Sequence, residues 1–198
     1  MHADDFLYPT DAGLYCPAGD FFIDPVRPVP RALITHGHGD HARSGHGAVL
    51  ATAQTLDIMA IRYGEDFTAR RQVAEGTLRV GGVEVSFHPA GHILGSAQIR
   101  LACADGPVIV VSGDYCRTPN PVCAPWEPVP CDIFVTEATF GLPVFRPRAA
   151  ERSGSPLDGV IAEGGENADL AASAVATPWR SASSASAVPY STPIPVGP

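Results

Sequence analysis

The stretch Ala32-Leu33-Ile34-Thr35-His36-Gly37-His38-Gly39-Asp40-His41 sets both the fold and the chemistry of this chain. Its apolar first half has strand composition. The six residues that follow hold three imidazoles and one carboxylate, the usual ligands of a hydrolytic metal site. The small glycines between them let the backbone turn tightly, so alternate side chains converge. His36 and His38 are expected on one cation, and Asp40 and His41, displaced by the turn, on a second one nearby. The competing reading is a surface turn with incidental histidines. Four ligand-type residues in six positions after a strand argue against it.

Two more potential ligands end apolar runs downstream, each beside a glycine: His92 after Phe87-His88-Pro89-Ala90-Gly91, and Asp114 after Val110-Val111-Ser112-Gly113. Strands side by side in one sheet would bring these ends to a common edge, where open α/β sheets bind ligands. Asp114 has two carboxylate oxygens and is the natural bridge between two cations. Taken singly, His92 also reads as a core histidine and Asp114 as a turn residue.

The rest of the sequence limits what surrounds this cluster. With 198 residues, 45% hydrophobic and 17% charged, there is material for one modest core. Strand-like runs occur at Gly13–Cys16, Asp20–Asp24, Ala32–Thr35, Val83–Phe87, Val108–Val111 and Asp132–Thr136, with a hairpin turn at Pro17-Ala18-Gly19. Gln54–Arg62 has helix-forming composition, with Leu56, Met59 and Ala60 on one face. A second short helix is expected over Phe67–Val73. These elements predict a layered α/β domain with helices covering a sheet.

From Ala149 to Pro198 the periodicity vanishes and Ala, Ser, Gly and Pro dominate. Residues 1–148 are therefore expected to be the domain and 149–198 a disordered or frame-shifted tail.

The five cysteines are odd in number and none forms a Cys-x-x-Cys pair, so they are expected to be reduced and structural. No apolar run approaches membrane-spanning length and the start is acidic, which predicts a cytoplasmic protein without a membrane segment. A net charge of −8 argues mildly against a broad nucleic-acid surface, although two bound cations would make the site itself electropositive. Every basic side chain is arginine. Arg62, Arg70, Arg71 and Arg79 are candidates for phosphate contacts, against which stands a plain solvated face.

The cluster His36-Gly37-His38-Gly39-Asp40-His41, followed by His92 and Asp114, resembles the metal motif series of the metallo-β-lactamase fold. Ala90-Gly91-His92-Ile93-Leu94-Gly95-Ser96-Ala97, Ser112-Gly113-Asp114-Tyr115 and Glu137-Ala138-Thr139-Phe140-Gly141 are similar to its β-CASP branch, nucleases that process RNA 3′ ends or trim DNA. Leu14–Phe21 and the stretch from Pro119 to Pro143 look most like the bacterial ligase-associated DNA exonucleases, which are often labelled mRNA 3′-end processing factors.

The resemblance implies the first half of a metallo-β-lactamase αββα sandwich. It implies two Zn²⁺ ions, with Mn²⁺ an alternative at the second site. His36, His38 and His92 match the ligands of the first ion, Asp40 and His41 match part of the second set, and Asp114 matches the bridge. Asp24 matches the aspartate that supports the metal loop, where a plain turn residue before Pro25 is the alternative. Glu137 matches an acidic residue that orients a histidine general acid. Single-stranded DNA or RNA ends are the implied substrates, and a DNA ligase or helicase the implied partner.

The family's general-acid histidine and its late second-site histidine have no counterpart, because no histidine follows His92. The expectation is a truncated or frame-shifted product, with half a sandwich leaving a sheet face uncovered. Two further classes stay open: a hydrolase of small thioesters, lactones or lactams, and an inactive metal-binding fragment. His2, His46 and His88 have no role in the motif and are expected at the surface or behind the ligands.

Overall fold

Val83-Glu84-Val85-Ser86-Phe87 alternates apolar with polar, and in the computed structural model it forms a strand with Val83 and Val85 in the core and Glu84 exposed. The structure describes residues 3–138; the boundary expected at Arg148, the tail 149–198 and His2 lie outside the described residues. The elements are α1 (Ala3–Phe6), β1 (Tyr8–Thr10), β2 (Gly13–Cys16), β3 (Phe21–Ile23), β4 (Arg31–Leu33), β5 (His46–Ala51), α2 (Ala53–Tyr63) and β6 (Thr68–Val73). They continue with β7 (Thr77–Val80), β8 (Val83–Pro89), β9 (Ala97–Ala102), β10 (Ile109–Val111) and β11 (Ile133–Val135). Among the described residues no helix is long and apolar enough to cross a membrane.

The described strands form two sheets, one in the order β1-β2-β3-β4-β5-β6 and one in the order β11-β10-β9-β8-β7. In the first sheet β3, β4, β5 and β6 run parallel, and α2 is the crossover from β5 to β6. The second sheet is antiparallel except for the parallel pair β10 and β11.

Phe21, Ile23, Leu33 and Leu50 of the first sheet share a buried cluster with Val85, Ile99, Leu101 and Ile109 of the second. On the other face of the first sheet, Ala32, Ile34, Val49 and Ala51 pack with Leu56 and Met59 of α2, and Ala60 joins them. The layers are thus helix, sheet, sheet. The α2 face is the one its spacing predicts. Thr52 caps the helix by accepting from the Thr55 N–H, and Gly64 closes it.

Phe67–Val73, expected as a helix, is instead the edge strand β6. It pairs in register with β5 from His46↔Thr68 to Ala51↔Val73. Ala, Arg and Gln permit a helix, but burial of Phe67 and Thr68 together with the open edge of β5 outweighs that weak preference. β5 itself was not among the expected strands. His46-Gly47-Ala48-Val49-Leu50-Ala51 is poor in β-formers, and a short apolar run carries no period.

The outer face of the second sheet is also not bare. The proline-rich segment 117–131 crosses it: the Gln98 side-chain amide donates to the carbonyls of Pro89 and Glu127, and the Glu127 carboxylate pairs with His88. Gln98 and Val110 on that face are fully buried. An irregular strap does there what a helix would do.

Candidate metal centre

The metal loop leaves the C-terminal end of β4 on its way to the parallel strand β5, so His36 to His41 follow directly from a strand end. Its first anchor is Thr35. The Thr35 N–H donates to Asp24 Oδ1 at 2.8 Å, its hydroxyl donates to Asp24 Oδ2, and its carbonyl accepts from Ala97 N–H at 2.9 Å. With its proton committed to Asp24, the hydroxyl accepts from His36 Nδ1, 3.1 Å away. That fixes the tautomer: the lone pair of His36 sits on Nε2 and faces the cluster. The loop then closes on itself through the N–H groups of His41 and Ala42, both bonded to His38 O, and Tyr63 of α2 donates to Ala42 O. This turn carries Asp40 and His41 round to a different side from His36 and His38.

The two sheets bring four donor groups together. His36, His38, His92 and Asp114 each offer an atom, and these atoms lie within 4.8 Å of one another. His38 Nδ1 is 3.0 Å from His36 Nε2 and 3.2 Å from His92 Nε2, and Asp114 Oδ2 is 3.7 Å and 3.6 Å from the same two nitrogens. Three imidazole nitrogens and a carboxylate oxygen turned on one point suit a divalent cation such as zinc, and without one their lone pairs face each other.

The other oxygen of Asp114, Oδ1, lies 3.4 Å from His41 Nε2, which is 3.7 Å from Asp40 Oδ2. One carboxylate therefore faces two groups of ligands. Asp40, His41 and Asp114 Oδ1 fit a second cation only as a partial set, and Asp40 is largely exposed. Gly113 places Asp114: its φ is +57°, and a Cβ there would meet Thr35 Oγ1 at 2.6 Å, so a side chain would push Asp114 off the loop.

Charge in the metal-free protein follows from this packing. Burial, with the charge of His41 beside it, pulls His36 down to about 4, and burial also lowers His92. Burial works against a charged His41 too. Hydrogen bonds to Asp114 and Asp24 and their charges outweigh it and push His41 up to about 10. Asp114 is lowered to about 2: burial opposes ionisation, but His41, His36 and His92 prevail. A cation on His41 Nε2 would take the place of that proton.

Asp24 belongs behind the ligands: its Oδ2 lies 2.8 Å from His41 Nδ1. It adopts a positive φ of 44°, a conformation Asp tolerates. Glu137, just past β11, is near enough for its charge to act on His92 and Tyr115. Of the four arginines, Arg71 pairs with Glu65, Arg62 and Arg71 lie over the rings of Tyr63 and Phe67, and Arg70 and Arg79 are exposed on the edge strands β6 and β7. His46 is neither at the surface nor behind a ligand. It is buried in β5, accepting from Val29 N–H.

Sequence reasoning passed over Thr35 and Ser96. The Ser96 Oγ accepts from the N–H groups of His92 and Ile93 at 3.0 and 3.1 Å. A hydroxyl next to a ligand at a buried strand end was the available signal, since buried hydroxyls need partners.

No family model matches the chain. Among curated proteins, a probable DNA ligase of Opitutus terrae is 32% identical over 146 residues, 69% of this chain and 14% of that protein. Ribonuclease TTHA0252 of Thermus thermophilus is 31% identical over 154 residues, 64% of this chain and 35% of that one. Endoribonuclease ysh1 of Aspergillus fumigatus is 31% identical over 94 residues, 45% and 11%. The chain spans between 11% and 35% of the length of these relatives. With two sheets meeting over a common core, a helix outside one of them, and a His/Asp cluster at their shared edge, the chain has the metallo-β-lactamase fold of the β-CASP nucleases.

Proposed function

We propose that this chain is the metal-holding part of a phosphodiester hydrolase acting on the ends of single-stranded DNA or RNA. The observation that carries this reading is the divided carboxylate of Asp114, with Oδ2 toward His36 and His92 and Oδ1 toward His41. A carboxylate with one oxygen toward each group of ligands is what a bridge between two cations requires. His36, His38, His92 and Asp114 would hold one Zn²⁺, and Asp40, His41 and Asp114 a second ion, Zn²⁺ or Mn²⁺. Bound there, the ions supply Lewis acidity toward a phosphate and a water acidified toward neutral pH. Asp24 and Thr35 hold the imidazoles in the ligating tautomer, and the partly open Asp40 side leaves room for substrate. The ribonuclease names among the relatives support a nucleic-acid substrate, and the name probable DNA ligase supports work on DNA ends beside a ligase.

The test is metal content per chain together with cleavage of end-labelled single-stranded DNA and RNA, with and without Zn²⁺ or Mn²⁺. A thioester and a lactam serve as alternative substrates. Metal-dependent shortening of an oligonucleotide that Asp114→Asn abolishes is the expected result. Hydrolysis of the thioester or lactam alone would move the chain to the small-molecule branch, and metal binding without any hydrolysis would leave it as a binding module.

A further inference from the structure

The loop 90–96 that carries His92 is gripped from behind by the first turn of α2, and we propose that Thr55, together with Thr52 and Ser96, positions His92 for the metal. The inference rests on the metal reading given above. The hydroxyls of Thr52 and Thr55 both donate to the carbonyl of Gly95, at 2.7 and 3.1 Å. Gly95 has a φ of +78° and fits so closely that a Cβ would lie 2.7 Å from Gln54 Cβ and 2.9 Å from Thr52 Oγ1. From the other side, Ser96 Oγ accepts from the N–H groups of His92 and Ile93. A three-residue step thus separates a carbonyl fixed to α2 from the imidazole that faces His38.

Helix capping alone does not account for Thr55. Thr52 caps the helix through the Thr55 N–H; the Thr55 hydroxyl lies 3.0 Å from the Thr52 hydroxyl, but the cap's bond to the N–H does not depend on it. A threonine inside a helix ordinarily returns its hydroxyl to the carbonyl one turn back. Here it is fully buried and reaches forty residues along the chain to Gly95 instead. Valine would fill the same volume and pack the same neighbours, so the hydroxyl serves the carbonyl, and the carbonyl belongs to the His92 loop. Partners behind metal ligands commonly change metal affinity by roughly 10–100-fold when removed.

The experiment uses the full chain and reads zinc affinity by competition with a chromophoric chelator, the visible spectrum of the Co²⁺-loaded protein, and the melting temperature of the metal-free protein. Thr55→Val is expected to melt close to the wild type without metal, to bind zinc roughly 10–100-fold more weakly, and to shift the Co²⁺ bands. Thr55→Ser restores both, because it restores the donor. Ser96→Ala weakens zinc in the same direction and carries the test by itself should Thr55→Val not fold. Folded variants that bind zinc within about twofold of wild type, with an unchanged Co²⁺ spectrum, would overturn the positioning role. A wild-type chain that binds no zinc or cobalt would overturn the metal reading and the clamp with it.

Discussion

His41 Nδ1 lies 2.8 Å from Oδ2 of Asp24, a carboxylate that also takes the backbone N–H and the hydroxyl of Thr35. Asp24 thereby sets the tautomer of His41 directly and that of His36 through Thr35. Asp24→Asn keeps the positive φ and one acceptor but places an amide donor against two existing donors. The expected result is loss of metal from the His41 side, with affinity there reduced roughly 10–100-fold. Metal counted by mass spectrometry after dialysis checks it: an unchanged complement in Asp24→Asn would remove Asp24 from the design.

Because ligands come from both sheets, metal should stabilise the fold against heat. Zinc at about 100 times its dissociation constant is worth about 2.7 kcal/mol of added stability. Melting followed by circular dichroism should move up by several degrees with zinc and back with chelator, and His38→Ala should abolish the shift. A melting temperature indifferent to zinc counts against a site shared by the sheets.

A pH effect follows from His46, which is buried in β5 and is not one of the clustered ligand-type residues. Burial lowers its pKa and outweighs the backbone of Arg43, which acts in the opposite direction. The native state thus resists taking up a proton that the unfolded chain accepts near pH ~6.5. The stabilisation is complete above that pH and is lost as pH falls toward the depressed native value. His36 and His92 act in the same sense in the metal-free protein, and His41, being raised, acts in the opposite sense. The contribution of His46 is therefore isolated by His46→Asn, which keeps an acceptor for Val29 N–H. Wild type should lose more stability than this variant between about pH 7.5 and about pH 5.5 in urea melts of metal-free protein. Parallel curves would show that His46 does not titrate with unfolding.

The strap over the second sheet offers a contrast of buried and exposed polar contacts. Gln98 is fully buried and donates to two carbonyls, so Gln98→Ala should cost about 1–3 kcal/mol. Glu127 is half exposed, and Glu127→Gln should cost less than about 1 kcal/mol despite its 2.9 Å contact with His88. Equal losses in chemical denaturation would show that the strap is not held through Gln98.

What could be read in advance was local. Val83–Phe87 announces itself by alternation, α2 by the spacing of Leu56, Met59 and Ala60, and the ligand cluster by four chemically like residues in six positions. What was misread depended on distant partners. Phe67–Val73 is a strand because β5 lies beside it, and β5 is a strand because it is enclosed on both sides. Thr35 joins Asp24, eleven residues before it, to Ala97, far downstream, and no window of sequence holds all three. The strap has no periodicity at all, yet it buries Gln98. Its prolines read as a loop, and only the sheet beneath gives them a function.

The split origin of the ligands also has a consequence in time. His36 to His41 leave the ribosome early, whereas Asp114 waits for most of the domain to follow. At ordinary rates of synthesis the delay is on the order of ten seconds. Through that interval the nascent chain displays only the first histidines and one aspartate of a half-made site. Among the described ligand-type residues the carboxylate that faces both groups of histidines arrives last, so the cluster of His36, His38, His92 and Asp114 is assembled only after β10 has been made and has reached its sheet.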